Sequence, residues 1–251
     1  YANDKNLSNY PIHFKINSGL NRIGFKEDEI EKAFALMLNS NRFFVQSIYS
    51  HLSASEDLNE KEFTLQQIKS FKKSIKKILP KLSHKPILHM SNTSGIINYP
   101  ESEFDMVRCG IGLYGFSNKL STPLKPVHKL LSTISQIILV SKGESVGYNR
   151  AYVAKEKTKV GVIPLGHADG ISRSFNKGGY VIIDNKKCKI VGNVCMDVIM
   201  VNLNGTVAKE GDQVTIFDDK NTAENFAESV GTISYEILTN LSSRIERRII
   251  S

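Results

Sequence analysis

No stretch of this 251-residue sequence offers the roughly 18 uninterrupted apolar residues that a membrane-spanning helix needs, so no membrane role is expected. Cysteine is scarce. Cys109, Cys188 and Cys195 form an odd set without a Cys-x-x-Cys pair, which argues against a disulfide framework and against a cysteine-rich zinc site. A reduced, cytoplasmic compartment fits best, with each cysteine read as a small buried apolar residue. The first residues, YANDKNLSNYPIHFKINSG, carry no signal-peptide pattern and no initiating Met, so the sequence reads like the middle of a longer chain. His13, His84, His89 and His128 show no ligand spacing and are assigned no metal role. No internal repeat or low-complexity segment stands out.

Apolar residues make up 41% of the chain, enough for a real core, and the length suits one large domain or two ordinary ones. The net charge of +8 raises the question of nucleic acid. Most of the excess lies in one segment, IKSFKKSIKKILPK, residues 68–81. There Leu65, Ile68, Phe71, Ile75 and Leu79 form an apolar helical stripe, and lysines fill the other positions. A solvated outer helix face explains that pattern. Basic and aromatic residues do not interleave as stacking on bases would require, so no nucleic-acid partner is expected.

The chain has two rhythms. Up to residue 127, short apolar runs alternate with helical patterns. Strand candidates are IHFKIN (12–17), FFVQSIYSHL (43–52), PILHMS (86–91) and DMVRCGIGLYG (105–115); helices are expected over 27–39 and about 60–79. Such alternation predicts parallel βα units, and four strands make half of a (β/α)8 barrel. From residue 128 to 251 the texture changes to strands and hairpins: LLSTISQIILVS, KVGVIPLG, YVIIDNKKCKIVGNV, DVIMVNL and QVTIFD. Two short helices, about 222–230 and 234–241, are expected to close it around Gly231. The fold class is therefore the C-terminal half of a (β/α)8 TIM-type barrel, residues 1–127, followed by a β-rich domain, residues 128–251.

In barrels, chemistry sits where strands end. The strand ends of the first half supply His51, Asn92-Thr93 and Arg108. After Arg108, Gly110-Ile111-Gly112 can present consecutive backbone N–H groups unobstructed, and a threonine hydroxyl nearby adds a donor: an anion nest. The other reading is that these glycines let a strand leave a crowded barrel. Arg108 favours the nest, because a permanently charged guanidinium in an apolar run needs a specific acceptor. A phosphate at one end of a ligand and an aromatic nitrogen at the other describes pyridoxal phosphate.

At these residues the sequence resembles the alanine racemase family. HFKINSGLNRIGF is similar to its H-x-K-x-D-T/S-G-M-x-R-x-G stretch, with Asn17 for Asp and Leu20 for Met. SHLSASED resembles its strand-end histidine segment, and SNTSGIINYPESEFDMVRCGIGLYG its N-S-x-x…V-R-x-G-I-x-x-Y-G run, with Thr93 for Ser. ESVGYNRAY is similar to its catalytic-tyrosine stretch, VIPLGHADGISR to its I-P-x-G-Y-A-D-G-x-x-R, and IVGNVCMDVIMVNL and GTISYEIL to its last two blocks.

The resemblance implies a pyridoxal-phosphate (β/α)8 barrel followed by a β-domain, acting on alanine as a head-to-tail homodimer with shared active sites. By that resemblance Arg108 would face the pyridine nitrogen and His51 would pack against the ring. Thr93, the backbones of Gly110 and Ile111, and the Tyr235 hydroxyl would hold the phosphate. Tyr148 would be the base for one face of the α-carbon. Arg22 and the Met196 backbone would contact the substrate carboxylate, with Asp197 beside them. Lys15 aligns with a lysine often carbamylated in the family, where its new negative charge would orient Arg22. His167 stands where the family usually has an entrance tyrosine. The family's cofactor lysine lies in a V-x-K-A-N-A-Y-G segment that has no counterpart among these 251 residues.

Each assignment has a plainer alternative. Tyr148 also reads as a strand aromatic, His51 as a core histidine, Tyr235 as an inward helix residue and Met196 as core. Rival functions are another pyridoxal-phosphate barrel racemase, a decarboxylase relative, or a non-catalytic remnant.

Overall fold

A computed structural model describes residues 1–40, 42–117 and 124–250. The chain divides into two compact units, Tyr1–Leu124 and Lys125–Ser251.

The first unit is built of βα steps. Strand β1 (Tyr10–Lys15) is followed by helix α1 (Ile30–Leu38), then β2 (Phe43–Tyr49), α2 (Lys61–Ile78), β3 (Ile87–His89) and the short α3 (Thr93–Asn98). The strands pair in parallel in the order β1-β2-β3, so their C-terminal ends, at Lys15, Tyr49 and His89, lie in register on one edge. Both helices face this sheet with helically spaced apolar residues. Ile30, Phe34 and Met37 are buried on α1; Ile68, Phe71, Ile75 and Ile78 are buried on α2. They join Phe14, Ile48, Met90 and Tyr99 in one core. Leu65, expected on the buried stripe, is instead 37% exposed, because Thr64 and Gln67 take the inward positions beside it. Lys73 and Lys77 of the basic face pair with Glu27 at 2.7 and 3.1 Å.

The strand expected over 105–115 does not form. Met106 alone bridges His89 in parallel, and the Arg108 N–H donates to the Ser91 carbonyl at 3.0 Å. The chain then bends through Gly110 (φ −113°, ψ −98°) into a tight turn over Ile111–Tyr114 that ends at Gly115, φ 81°. Bare backbone here serves a bend, which an extended strand would not allow. Cys109 follows that bend into solvent, contrary to expectation; Cys195 is half-buried, and Cys188 alone of the three is buried.

In the second unit the run LLSTISQIILVS, expected as one strand, is two. β4 (Leu130–Thr133) ends at Ile134, whose N–H donates to the Asp212 carbonyl, and β5 (Gln136–Val140) begins after Ser135, which bonds the Val162 carbonyl. The chain changes sheets between them. Strands β6 (Ser145–Val146) and β7 (Tyr152–Val153) form a small ribbon, and β8 (Thr158–Ile163) follows. β9 (Tyr180–Ile183) and β10 (Lys186–Lys189) form a hairpin across Asp184-Asn185, whose φ values of 53° and 57° are those of a type I′ turn. After β11 (Ile199–Asn202) and β12 (Gln213–Phe217) come α4 (Ala223–Glu228) and α5 (Ser234–Asn240), with Gly231 between them at φ 76°. One sheet has the order β10-β9-β12-β4, the other β11-β8-β5. Phe175 stacks on Phe226 at 4.1 Å beside buried Phe217.

The completely buried Phe71 meets Phe104 edge-on at 5.1 Å between α2 and the loop after α3. Phe71→Ala is expected to lower unfolding free energy by about 3–5 kcal/mol in a denaturant titration; a loss under about 1 kcal/mol would mean this contact is not core.

Candidate active site

The strand ends of the first unit bring Arg108 into a cage of acceptors. One terminal nitrogen donates to the carbonyls of Ser50 at 3.0 Å and Met90 at 3.1 Å and to His51 Nδ1 at 3.0 Å. The other donates to His89 Nδ1. Tyr49 lies under the guanidinium, 5.6 Å from its ring centre, and stacks on His89 at 5.0 Å. Among the described residues, no carboxylate pairs with Arg108. A guanidinium has only donors, so both Nδ1 atoms accept and both imidazoles carry their proton on Nε2. His89 Nε2–H then donates to Ser47 Oγ at 3.1 Å, and Ser47 gives its own proton to His13 Nδ1 at 2.6 Å.

This arrangement forces both rings to stay neutral. Burial, with the adjacent Arg108 charge, pushes His51 and His89 down to about 4. Lys15 at the end of β1 is also lowered, first by burial and then by Arg22 and Arg108, and its ammonium sits 5.4 Å from the Tyr49 ring centre. Arg22 is carried by a loop that Asn17 organises. Asn17 Oδ1 accepts from the N–H groups of Gly19 and Asn21. Gly24, at φ 109°, returns the chain so close that a Cβ there would lie 2.9 Å from the Lys15 carbonyl.

Beside Arg108 lie the residues expected to form an anion nest, and here their glycine N–H groups are taken by Thr93. Asn92 caps α3 by accepting from the Gly95 N–H at 2.8 Å, which fixes the buried Thr93. The N–H groups of Gly110 and Gly112 both point at Thr93 Oγ1, at 3.0 and 3.2 Å. Ile111 lies between them in sequence, its side chain buried. A Cβ on Gly110 would meet nothing within 4 Å, whereas one on Gly112 would come 2.7 Å from Thr93 Cγ2. The nest is thus open on one side and closely packed on the other.

In the second unit Tyr148, Met196 and Asp197 line one cavity of about 720 Å³, floored by apolar residues that include Val140, Val160, Val162 and Met200. Tyr148 is 73% exposed and Met196 59%. The Met196 carbonyl accepts from the Ala168 N–H at 3.0 Å, and a Cβ on Gly166 would lie 2.2 Å from it, so this turn rests directly on the His167–Asp169 turn. Asp169 is buried and Arg244 bridges it to Asp197, at 2.6 and 2.7 Å. Burial alone would raise the Asp169 carboxyl, but Arg244 and the Gly166 N–H outweigh it and hold it below its usual value. His167 is exposed and lines a separate hollow of about 200 Å³ with Ser172, Glu236 and Asn240. Tyr235 opens α5, partly exposed.

Sequence reasoning grouped His51, Thr93, Arg108 and Gly110, and the structure brings these four together within the first unit. It missed His89, Tyr49, Ser47, Asp169 and Arg244. The strand-end position of His89 next to Met90-Ser91 was the available signal; nothing marked Arg244, which acts 47 residues away from Asp197.

A parallel α/β unit with a strand-end cation, followed in the chain by an antiparallel β unit, fits part of a barrel with a C-terminal β-domain. The sequence models of the alanine racemase N-terminal and C-terminal domains match residues 2–118 and 127–249. The chain is 36% identical to the alanine racemase of Fusobacterium nucleatum over 98% of its own length and 69% of that protein. It is 36% identical to that of Thermodesulfovibrio yellowstonii, over 96% and 65% respectively. Among solved structures, alanine racemase from Streptomyces lavendulae superposes with a TM-score of 0.86 at 27% identity, over 97% of this chain and 67% of that one. Alanine racemase from Bartonella henselae with covalently bound pyridoxal phosphate gives 0.85 at 29% identity, over 99% and 68%. The chain belongs to the alanine racemase family. It spans about two thirds of the length of these relatives.

An imidazole whose folded value is depressed favours folding above its ordinary value near 6.5, and that contribution is lost as pH falls toward the folded value. The C–H resonances of His51 and His89 should therefore stay in the neutral position until pH approaches about 4, and the first unit should lose stability between pH 6.5 and 4. Titration of either ring near pH 6.5 in NMR spectra would contradict the caged arrangement.

Proposed function

We propose that this chain is the greater part of a pyridoxal-phosphate-dependent racemase that interconverts L- and D-alanine. The observation that carries the reading is Arg108, a half-buried cation held by neutral acceptors beside two converging glycine N–H groups. These donors suit a phosphate monoester at one end and a ring nitrogen at the other, and the open side of Gly110 gives room for the phosphate. Thr93, the backbones of Gly110 and Ile111, and the Tyr235 hydroxyl would hold the phosphate, and His51 would pack against the ring. Bound there, pyridoxal phosphate supplies the electron sink that acidifies the α-hydrogen of an amino acid.

The chain's own groups do the rest. Arg108 would hold the ring nitrogen without giving it a proton, because a guanidinium does not readily ionise. Holding that nitrogen unprotonated would weaken the electron sink and so disfavour transamination. Tyr148 would take or return the proton on one face of the α-carbon. Arg22 and the Met196 N–H would bind the substrate carboxylate, with Asp197 beside them. Lys15, if carbamylated, would gain a negative charge that orients Arg22. His167 would line the substrate entrance, where an imidazole is shorter than a tyrosine. The base for the opposite face is the family's lysine, whose segment is not among these residues.

The same reading gives a homodimer with shared active sites, in the cytoplasm, supplying D-alanine for peptidoglycan. Among the described residues, no helix is long and apolar enough to cross a membrane.

Adding pyridoxal phosphate to the purified chain should produce saturable binding by equilibrium dialysis, and Arg108→Ala and Gly112→Ala should each weaken it at least about tenfold, equivalent to about 1.4 kcal/mol. In the whole protein, Arg108→Glu should raise transamination relative to racemisation of alanine. A wild-type protein that binds no pyridoxal phosphate and turns over no alanine would overturn the reading.

A further inference from the structure

The turn that carries Tyr148 is strained and exposed. Gly147, Asn149 and Arg150 all have left-handed backbone, with φ of 73°, 58° and 49°. Glycine and asparagine tolerate that region; arginine does so only when something holds it there. What holds it is a pair of side-chain amides. Asn193 Nδ2 donates to the Tyr148 carbonyl at 3.0 Å. Asn176 Nδ2 donates to Asn193 Oδ1 at 2.8 Å, and Asn176 Oδ1 accepts from the Val194 N–H at 2.6 Å. A carbonyl at one end and an N–H at the other fix the orientation of both amides, so no flipped arrangement satisfies the string.

Close backbone contact backs this up. A Cβ on Gly147 would lie 2.9 Å from Met200 Cε and 3.4 Å from the Asn193 nitrogen; one on Gly192 would lie 2.8 Å from the Val146 carbonyl. The two segments touch as bare backbone, and Asn193 stands two residues before Cys195-Met196-Asp197 in the same cavity lining as Tyr148.

We propose that Asn193 and Asn176 are positioning residues that lock the Tyr148 turn onto the Cys195–Asp197 segment and so fix the tyrosine hydroxyl relative to the carboxylate-contacting backbone. The catalytic half of this statement rests on the reading of Tyr148 as a base. The locking half does not.

The test uses trypsin, which cuts after the exposed Arg150. Asn193→Asp keeps shape and the bond from Asn176 but sets an acceptor against the Tyr148 carbonyl. Cleavage at Arg150 should rise about tenfold, with other cuts and the melting temperature unchanged. Asn193→Ala should do the same, and adding Asn176→Ala to it should add little, because the two act through one string. Unchanged cleavage at Arg150 in both Asn193 variants would overturn the lock. In the whole protein, Asn193→Asp should lower kcat at least about tenfold while KM for alanine moves less than about threefold. A loosened turn with unchanged kcat overturns the positioning role and leaves the racemase reading intact. A wild-type protein that racemises nothing overturns that reading and the catalytic half with it, while the cleavage result still decides the lock.

Discussion

The first unit is organised around one unusual ionic arrangement: the Arg108 guanidinium is partly withdrawn from water and held by carbonyls and neutral imidazoles, with no carboxylate paired to it among the described residues. Such a charge is costly to bury, and the pattern around it follows from that cost. The carbonyls of Ser50 and Met90 reach it because parallel strands end together on one edge of the sheet. The two histidines must give up protonation at ordinary pH to serve as acceptors. Tyr49 can lie against the cation because its ring presents a π face. A carboxylate partner would have neutralised the charge and consumed the fork; neutral acceptors leave the field intact for a ligand.

The second unit solves a different problem, the placing of exposed groups. Tyr148, Met196 and Asp197 are all on turns, and turns drift unless tied. Here the ties are close backbone approaches at Gly147, Gly166 and Gly192, the amide string through Asn193, and the Arg244 bridge between a buried and an exposed carboxylate. The apolar cavity beneath them gives the turns a firm floor. Small residues matter here for what they let approach.

Much of the fold was legible because period and punctuation agreed: α1, β2, α2 and β3 fall within the stretches their patterns indicated, β1 overlaps its stretch but begins two residues earlier, at Tyr10, and the βα alternation gave the parallel sheet. Two failures share a cause. DMVRCGIGLYG and LLSTISQIILVS are apolar enough for strands, but apolarity does not report where hydrogen-bond partners lie. The first bends to aim amides at Thr93; the second changes sheets at Ile134-Ser135. At the site, residues within recognisable motifs were legible. His89 and Arg244 were not, since their importance comes from contacts at separations of 19 and 75 residues, to Arg108 and Asp169.

The string from Arg108 through His89 and Ser47 to His13 has a direction. Every hydrogen bond in it is donated away from the guanidinium, so the bond dipoles line up head to tail and each polarises the next. Part of the cation's positive character is thereby exported across the sheet to His13, which is exposed. The site's arginine is thus tied, through two buried side chains, to one that meets water.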